Sequence, residues 1–238
     1  MHDEGRIVMK KQELINKIQG GLIVSCQALE DEPLHSSFIM GRMAYAAQLG
    51  GAVGIRANSV EDIREIQKTT DLPIIGIIKK VYPGCKAKIT PTIAEVDALV
   101  QTGVEIIAMD ASTRPRPDGR SVAETFPPIR EKYPEQLFMA DCATYEEALR
   151  AEKLGFDFIG TTLNGYTDDT RHMPPPNFDF MHQLATGLQT PVIAEGGIFS
   201  PEQLRQAMDQ GVLACVVGSA ITRPMKITEH YVKVLRKD

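Results

Sequence analysis

Eight short runs of nearly unbroken apolar residues punctuate the chain, at 22–27, 52–57, 73–80, 105–111, 137–143, 158–163, 191–197 and 214–221. A strand buried on both faces reads this way, whereas one with a wet face alternates polar and apolar positions. Between the runs lie helix-like stretches with recognisable starts: Ser59-Val60-Glu61-Asp62, Thr92-Ile93-Ala94-Glu95, Thr144-Tyr145-Glu146-Glu147 and Ser200-Pro201-Glu202-Gln203. Each offers a hydroxyl N-cap followed by acids or Gln in the first turn, and Pro201 sits where a helix tolerates proline. Gly50, Gly103, Gly155 and Gly211 close helices just ahead of the next strand, the place of a left-handed residue past a helix end. Residues 10–19 form a further amphipathic helix that Gly20-Gly21 ends before the first strand.

The repeated beat of strand, cap, helix and glycine predicts a single-domain (β/α)8 TIM barrel over residues 1–238, with an N-terminal capping helix. A flavodoxin-like open sheet is the alternative, and it would use about five strands. One connection is long: 164–176 ends in Pro174-Pro175-Pro176 after the sixth strand, and such a loop at the active end of a barrel reads as a lid.

Composition narrows the class. Apolar residues make up 43% of the 238 and charged residues 24%, enough to bury one large core. A net charge of −5 argues against a polyanionic partner such as nucleic acid. No run of about 18 apolar residues predicts a membrane span, and Met1 to Arg6 carry acids with no apolar stretch behind them, so the expected location is cytoplasmic. Cys26, Cys85, Cys142 and Cys215 are widely spaced and predict reduced thiols. His2, His35, His172, His182 and His230 show no metal-ligand spacing. No metal and no cofactor are expected.

Candidate chemistry collects where strands end, since barrel enzymes carry their reactive groups there. Glycines tip the last two strands, at Gly196-Gly197 and Gly218-Ser219, and bare backbone amides in that position accept a phosphate. The other strand ends carry Gln27, Arg56, Lys79 and Lys80, Asp110, Asp141, Thr161 and Thr162, and Glu195. Strands 3 and 7 face each other in an eight-stranded barrel, so a lysine from one and Glu195 from the other flank a bound carbon. Strand parity alone leaves open whether that lysine is Lys79 or Lys80. The pair suits proton transfer beside a carbonyl of a sugar phosphate, with Arg56, Gln27 or backbone amides steadying the oxyanion. A Schiff-base aldolase and a non-catalytic phosphosugar-binding barrel remain open alternatives.

These residues carry a resemblance. Gly21 to Ala28, Gly54-Ile55-Arg56-Ala57, Pro73 to Lys79, Phe138 to Cys142, Gly160 to Leu163, Ala194 to Gly197 and Val217 to Ile221 resemble the corresponding segments of the N-acylglucosamine-6-phosphate 2-epimerase family. The resemblance implies inversion at C2 between N-acetylmannosamine 6-phosphate and N-acetylglucosamine 6-phosphate, without a cofactor. It implies Lys79 and Glu195 as catalytic groups. Gln27, Arg56, Asp141 and Thr161 become substrate ligands, and Gly197, Gly218 and Ser219 receive the phosphate. Asn164 departs from the family pattern, which has a serine there. The resemblance also implies a homodimer, for which Ile227, Tyr231, Val234 and Leu235 offer an apolar stripe on a last helix at 226–235.

Overall fold

The computed structural model describes residues 10–235, so the reading of Met1 to Arg6 lies outside it. Eight parallel strands close into a barrel in sequence order: β1 (Leu22–Cys26), β2 (Gly54–Asn58), β3 (Ile74–Ile77), β4 (Ile106–Asp110), β5 (Leu137–Asp141), β6 (Phe158–Gly160), β7 (Val192–Glu195) and β8 (Ala214–Val217). Pairing of Leu22 with Cys215 joins the last strand to the first. The helices are α1 (Lys11–Ile18), α2 (Ser37–Leu49), α3 (Val60–Gln67), α4 (Ile93–Val100), α5 (Val122–Lys132), α6 (Tyr145–Leu154), α7 (Phe178–Gly187), α8 (Pro201–Met208), α9 (Ser219–Thr222) and α10 (Pro224–Leu235).

Alternation along each strand divides the apolar residues into two cores. Ile23, Ile75, Ile77, Ile106, Met139, Phe158, Ile193 and Val216 pack inside the barrel, where Leu14 and Ile18 of α1 stopper its lower end. Ile55, Ile74, Ile107, Phe138, Ile159 and Val192 point outward into a larger cluster beneath the helices. The anticipated caps form: Thr92, Thr144 and Ser200 build capping boxes, and Ser59 accepts the Asp62 N–H.

Several boundaries differ from the sequence-based expectation; the sixth strand, for one, stops at Gly160 instead of Leu163. The run at 214–221 is not one strand: it stops at Val217, and Ser219–Thr222 turns into α9, because an apolar run by itself does not separate strand from buried helix. The third strand stops at Ile77 instead of Lys80. Beyond it, residues 88–90 fold back between β3 and β4, with Lys79 bridging Ile89 and the Asp110 N–H donating to the Ile89 carbonyl at 2.9 Å. Gly50 is right-handed (φ −77°), and its neighbour Gly51 takes the positive φ of 92°. Gly103, Gly155 and Gly211 adopt positive φ as anticipated.

Candidate active site

The inward parity that fills the barrel with Ile and Val also delivers the polar strand ends to its mouth. Arg56 follows outward Ile55, Asp141 follows outward Ala140, and Glu195 follows outward Ala194. Arg56 is completely buried and grips Asp141 with both terminal nitrogens, at 3.2 and 2.6 Å. Its Nη1 also reaches Glu195 Oε2 at 2.8 Å. A buried guanidinium survives only when paired, and here burial, which alone would lower its pKa, is outweighed by Asp141 and Glu195. Thr162 Oγ1 links the two acids, donating at 2.6 Å to Asp141 and lying 3.3 Å from Glu195.

Parity separates the two lysines as well. Lys79 shares the inward face of Ile75 and Ile77, whereas Lys80 turns outward to an ion pair with Glu95 of α4 at 3.1 Å. Lys79 keeps contact with water in the cavity, yet the protein crowded around its amine is the largest influence on it and lowers its pKa. Arg56 and Arg223 lower it further, and Glu195 and Asp141 act in the opposite sense. Glu195 moves the other way. Burial foremost, then the neighbouring Asp141, holds its carboxyl above the usual range despite Arg56 and Lys79.

A cavity of about 420 Å³ opens between these groups and the glycine-tipped ends of β7 and β8. Gly196 and Gly197 have φ of 117° and 69°, and Gly218 precedes α9. At Gly197 a Cβ would fall 2.5 Å from the Pro175 carbonyl carbon, so the 164–176 loop lies directly against this wall. Tyr166 of the same loop lines the cavity. Gln27 lines it too: its Nε2 donates to Ser25 Oγ at 2.8 Å, and its buried Oε1 has no partner.

Not every residue singled out from the sequence touches the cavity. Gln27, Lys79, Glu195, Gly197, Gly218 and Ser219 line it; Arg56 and Asp141 stand behind Glu195 as its support. Thr161 is a brace, accepting the Glu195 N–H at 2.8 Å and donating to the Glu195 carbonyl at 2.7 Å, while its neighbour Thr162 has the inward parity and faces the cavity. Asn164 is buried, donating to the Ala143 carbonyl at 2.8 Å and accepting from Asn177 at 3.1 Å. Arg223, which the reading of strand ends did not single out, lines the cavity and pairs with Glu32 at 2.5 Å. Its signal was weak, because it follows α9 rather than a strand.

Among the described residues, no group of three or more His, Cys, Asp or Glu side chains is arranged to hold a metal ion. No described helix is long and apolar enough to cross a membrane.

Residues 40–237 match the family described as "Putative N-acetylmannosamine-6-phosphate epimerase" (NanE). A relative of Caldanaerobacter subterraneus named "Putative N-acetylmannosamine-6-phosphate 2-epimerase" is 49% identical over 227 residues, covering 95% of this chain and 96% of that protein. One of Listeria monocytogenes with the same name is 52% identical over 226 residues, covering 94% and 95%. The solved structure of the N-acetylmannosamine-6-phosphate 2-epimerase from Clostridium perfringens superposes with a TM-score of 0.88 at 47% identity, over 98% of each chain. Thiamine phosphate pyrophosphorylase from Pyrococcus furiosus, with a TM-score of 0.60 at 20% identity, shares the fold alone.

Proposed function

Because the chain belongs to the N-acetylmannosamine-6-phosphate epimerase family, we propose that it interconverts N-acetylmannosamine 6-phosphate and N-acetylglucosamine 6-phosphate by inverting C2. The observation that carries the mechanism is the approach of Lys79 and Glu195 from opposed strands with pKa values displaced toward each other. Those displacements favour neutral amine and protonated acid, and two titratable groups pushed together in this way divide the acid and base roles between them.

Ring opening of the sugar exposes an aldehyde at C1, which makes the C2 hydrogen acidic. Neutral Lys79 takes that proton, the C–H electron pair forms the C1=C2 double bond, and the carbonyl pair moves onto O1, giving an enolate that keeps the acetamido nitrogen on C2. Glu195 then returns a proton to C2 from the other face, which inverts the centre. The step starts and ends at one oxidation level, so the proposal includes no redox cofactor, and no metal is part of it. Solvent exchange restores both groups, and the reverse reaction exchanges their roles.

The phosphate rests on the amides of Gly197, Gly218 and Ser219 with Arg223 beside them, which holds the far end of the sugar and spends remote binding energy on placing C2. Gln27 Oε1 is an unpaired acceptor for a hydroxyl or amide N–H of the substrate. Proton NMR of C2 after turnover in deuterium oxide tests the mechanism. Solvent deuterium at C2 of both sugars is expected. Conversion without deuterium, or a borohydride-trapped lysine adduct, points to other chemistry.

A homodimer and a cytoplasmic location belong to the same proposal. α10 buries none of its residues, leaving Tyr231 72%, Val234 82% and Leu235 81% exposed, and α2 presents Phe38 and Leu49 at 67% and 72%. Two unpartnered apolar stripes on one chain suit docking between copies. The four cysteines are unpaired, which suits a reducing compartment. Light scattering of the intact protein and of one ending at Arg223 tests the contact: a monomeric intact chain, or a truncated chain still dimeric, counts against it.

A further inference from the structure

Two unusual backbone conformations bracket one residue. Among the described residues, Ser59 and Thr90 are the only non-glycine positions with positive φ, at 72° and 45°. A residue with a Cβ adopts such angles only where its surroundings impose them, and these places cluster around functional groups. Ser59 directly follows β2 and donates its N–H to the Ile77 carbonyl at 3.0 Å. On the other side, Thr90 donates its N–H to the Ile78 carbonyl at 2.8 Å, and its Oγ1 accepts the Ile78 N–H at 3.2 Å.

Between them, beyond the end of β3, lies Lys79. Its backbone N–H is not held by a strand. It donates instead to Oδ1 of Asn58, the last residue of β2, at 2.7 Å. Asn58 is half-buried and does not line the cavity, so it reaches the chemistry only through Lys79.

We propose that Asn58 is a positioning residue: its side-chain carbonyl, braced by the strained turn at Ser59 and opposed by Thr90, sets the main chain at Lys79 so that the amine meets C2 across from Glu195. The inference rests on Lys79 moving the C2 proton. The neighbours Ile78 and Lys80 are tied to residues 88–90, the Lys80 N–H donating to the Lys88 carbonyl at 2.9 Å, and the N–H of Lys79 itself is left to the side-chain acceptor of Asn58. The charged groups around the amine come from five other places, namely Arg56 of β2, Asp141 of β5, Glu195 of β7, Arg223 after α9 and Glu32 between β1 and α2. None of them bonds the Lys79 backbone.

Steady-state kinetics of the full chain across pH, with the folded fraction of each variant checked by circular dichroism, test this. Asn58→Ala is expected to lower kcat by about 10- to 100-fold, the scale on which misplacement of a reacting group acts, with KM little changed. Asn58→Asp keeps an acceptor for the same N–H and is expected to regain most of kcat. Its added negative charge favours the ammonium form of Lys79, so the acidic limb of its pH profile moves to higher pH. Full kcat in folded Asn58→Ala, or a rise in KM alone, overturns the inference. If Asn58→Ala does not fold, Asn58→Asp decides: an unshifted limb overturns it. Turnover persisting in Lys79→Ala removes the underlying mechanism instead, whereas an inactive Lys79→Ala beside a fully active Asn58→Ala removes only the role of Asn58.

Discussion

Two buried arginine–carboxylate clusters sit side by side at the barrel mouth, where Asp110 and Asp141 are partners across β4 and β5; they are built from the same kinds of side chain and arranged to different ends. In one, Arg56 spans Asp141 and Glu195, the three residues arriving on three separate strands, and Glu195 still faces a cavity. In the other, Asp110 at the end of β4 is wrapped by its own loop. Arg114 pairs with it at 2.6 Å, Ser112 donates to it at 2.5 Å, and Arg116 donates to its backbone carbonyl. The second cluster is local in sequence and closes on itself, so it plugs only its own strand end and lines no part of the cavity. The first is drawn from distant strands, and that leaves one carboxylate half-satisfied and available. The orphaned atoms tell the same story. Gln27 Oε1 and Arg56 Nε lack partners in the open half, and Arg116 Nε alone lacks one in the plug.

Variants in the two halves separate these roles. The largest effect is expected at Lys79: its change to Ala lowers kcat by a factor on the order of 10² to 10⁴, the range for a lost general acid or base, with the unfolding midpoint retained. In the plug the loss falls on stability. Asp110→Ala leaves buried Arg116 and half-buried Arg114 without their carboxylate and is expected to cost about 3–5 kcal/mol in urea unfolding, the scale for breaking a buried pair, while the folded fraction keeps its kcat. A loss of kcat with unchanged stability would erase the contrast.

Arg223→Gln sharpens the comparison from the open side. In the proposed mechanism Lys79 acts as a base in its neutral form, so turnover is expected to rise with pH through its pKa. Arg223 lowers that pKa, and removing the cation raises it again. The acidic limb of the kcat profile is therefore expected to move to higher pH, and an unmoved limb would show that Arg223 does not act on Lys79. The smallest effect belongs to Lys80→Ala. Lys80 is exposed and bound to Glu95, so kcat should stay within about twofold of the unaltered protein, as for surface changes away from a site.

Much of this was legible because burial writes itself into sequence. Strands covered on both faces must be apolar throughout, so all eight were visible, and hydroxyl caps followed by Glu or Gln announced α4, α6 and α8. Which face was the lumen was not legible. Ile75 and Ile77 differ from Ile74 only in what they pack against, and the choice between Lys79 and Lys80, and between Thr161 and Thr162, depends on that. Helix α5 carries Pro127 and Pro128 within it, residues that normally argue for a loop, and the capping box of Ser121 and Glu124 went unread beside them. Arg223 and Asn58 were hidden for another reason. Their importance lies in contacts with Glu32 and with a backbone N–H of Lys79, which no spacing along the chain encodes.

The packed barrel interior, stoppered below by Leu14 and Ile18, gives the reaction chamber a floor and leaves the mouth as its door. In the proposed reaction substrate and product carry the same phosphate to the same seat and use that door in turn. Each departure frees the place for either sugar, and occupancy follows their relative abundance. Traffic through the protein thus has no built-in direction: whichever reaction drains one of the two sugars from the surroundings sets the sense in which C2 is turned over.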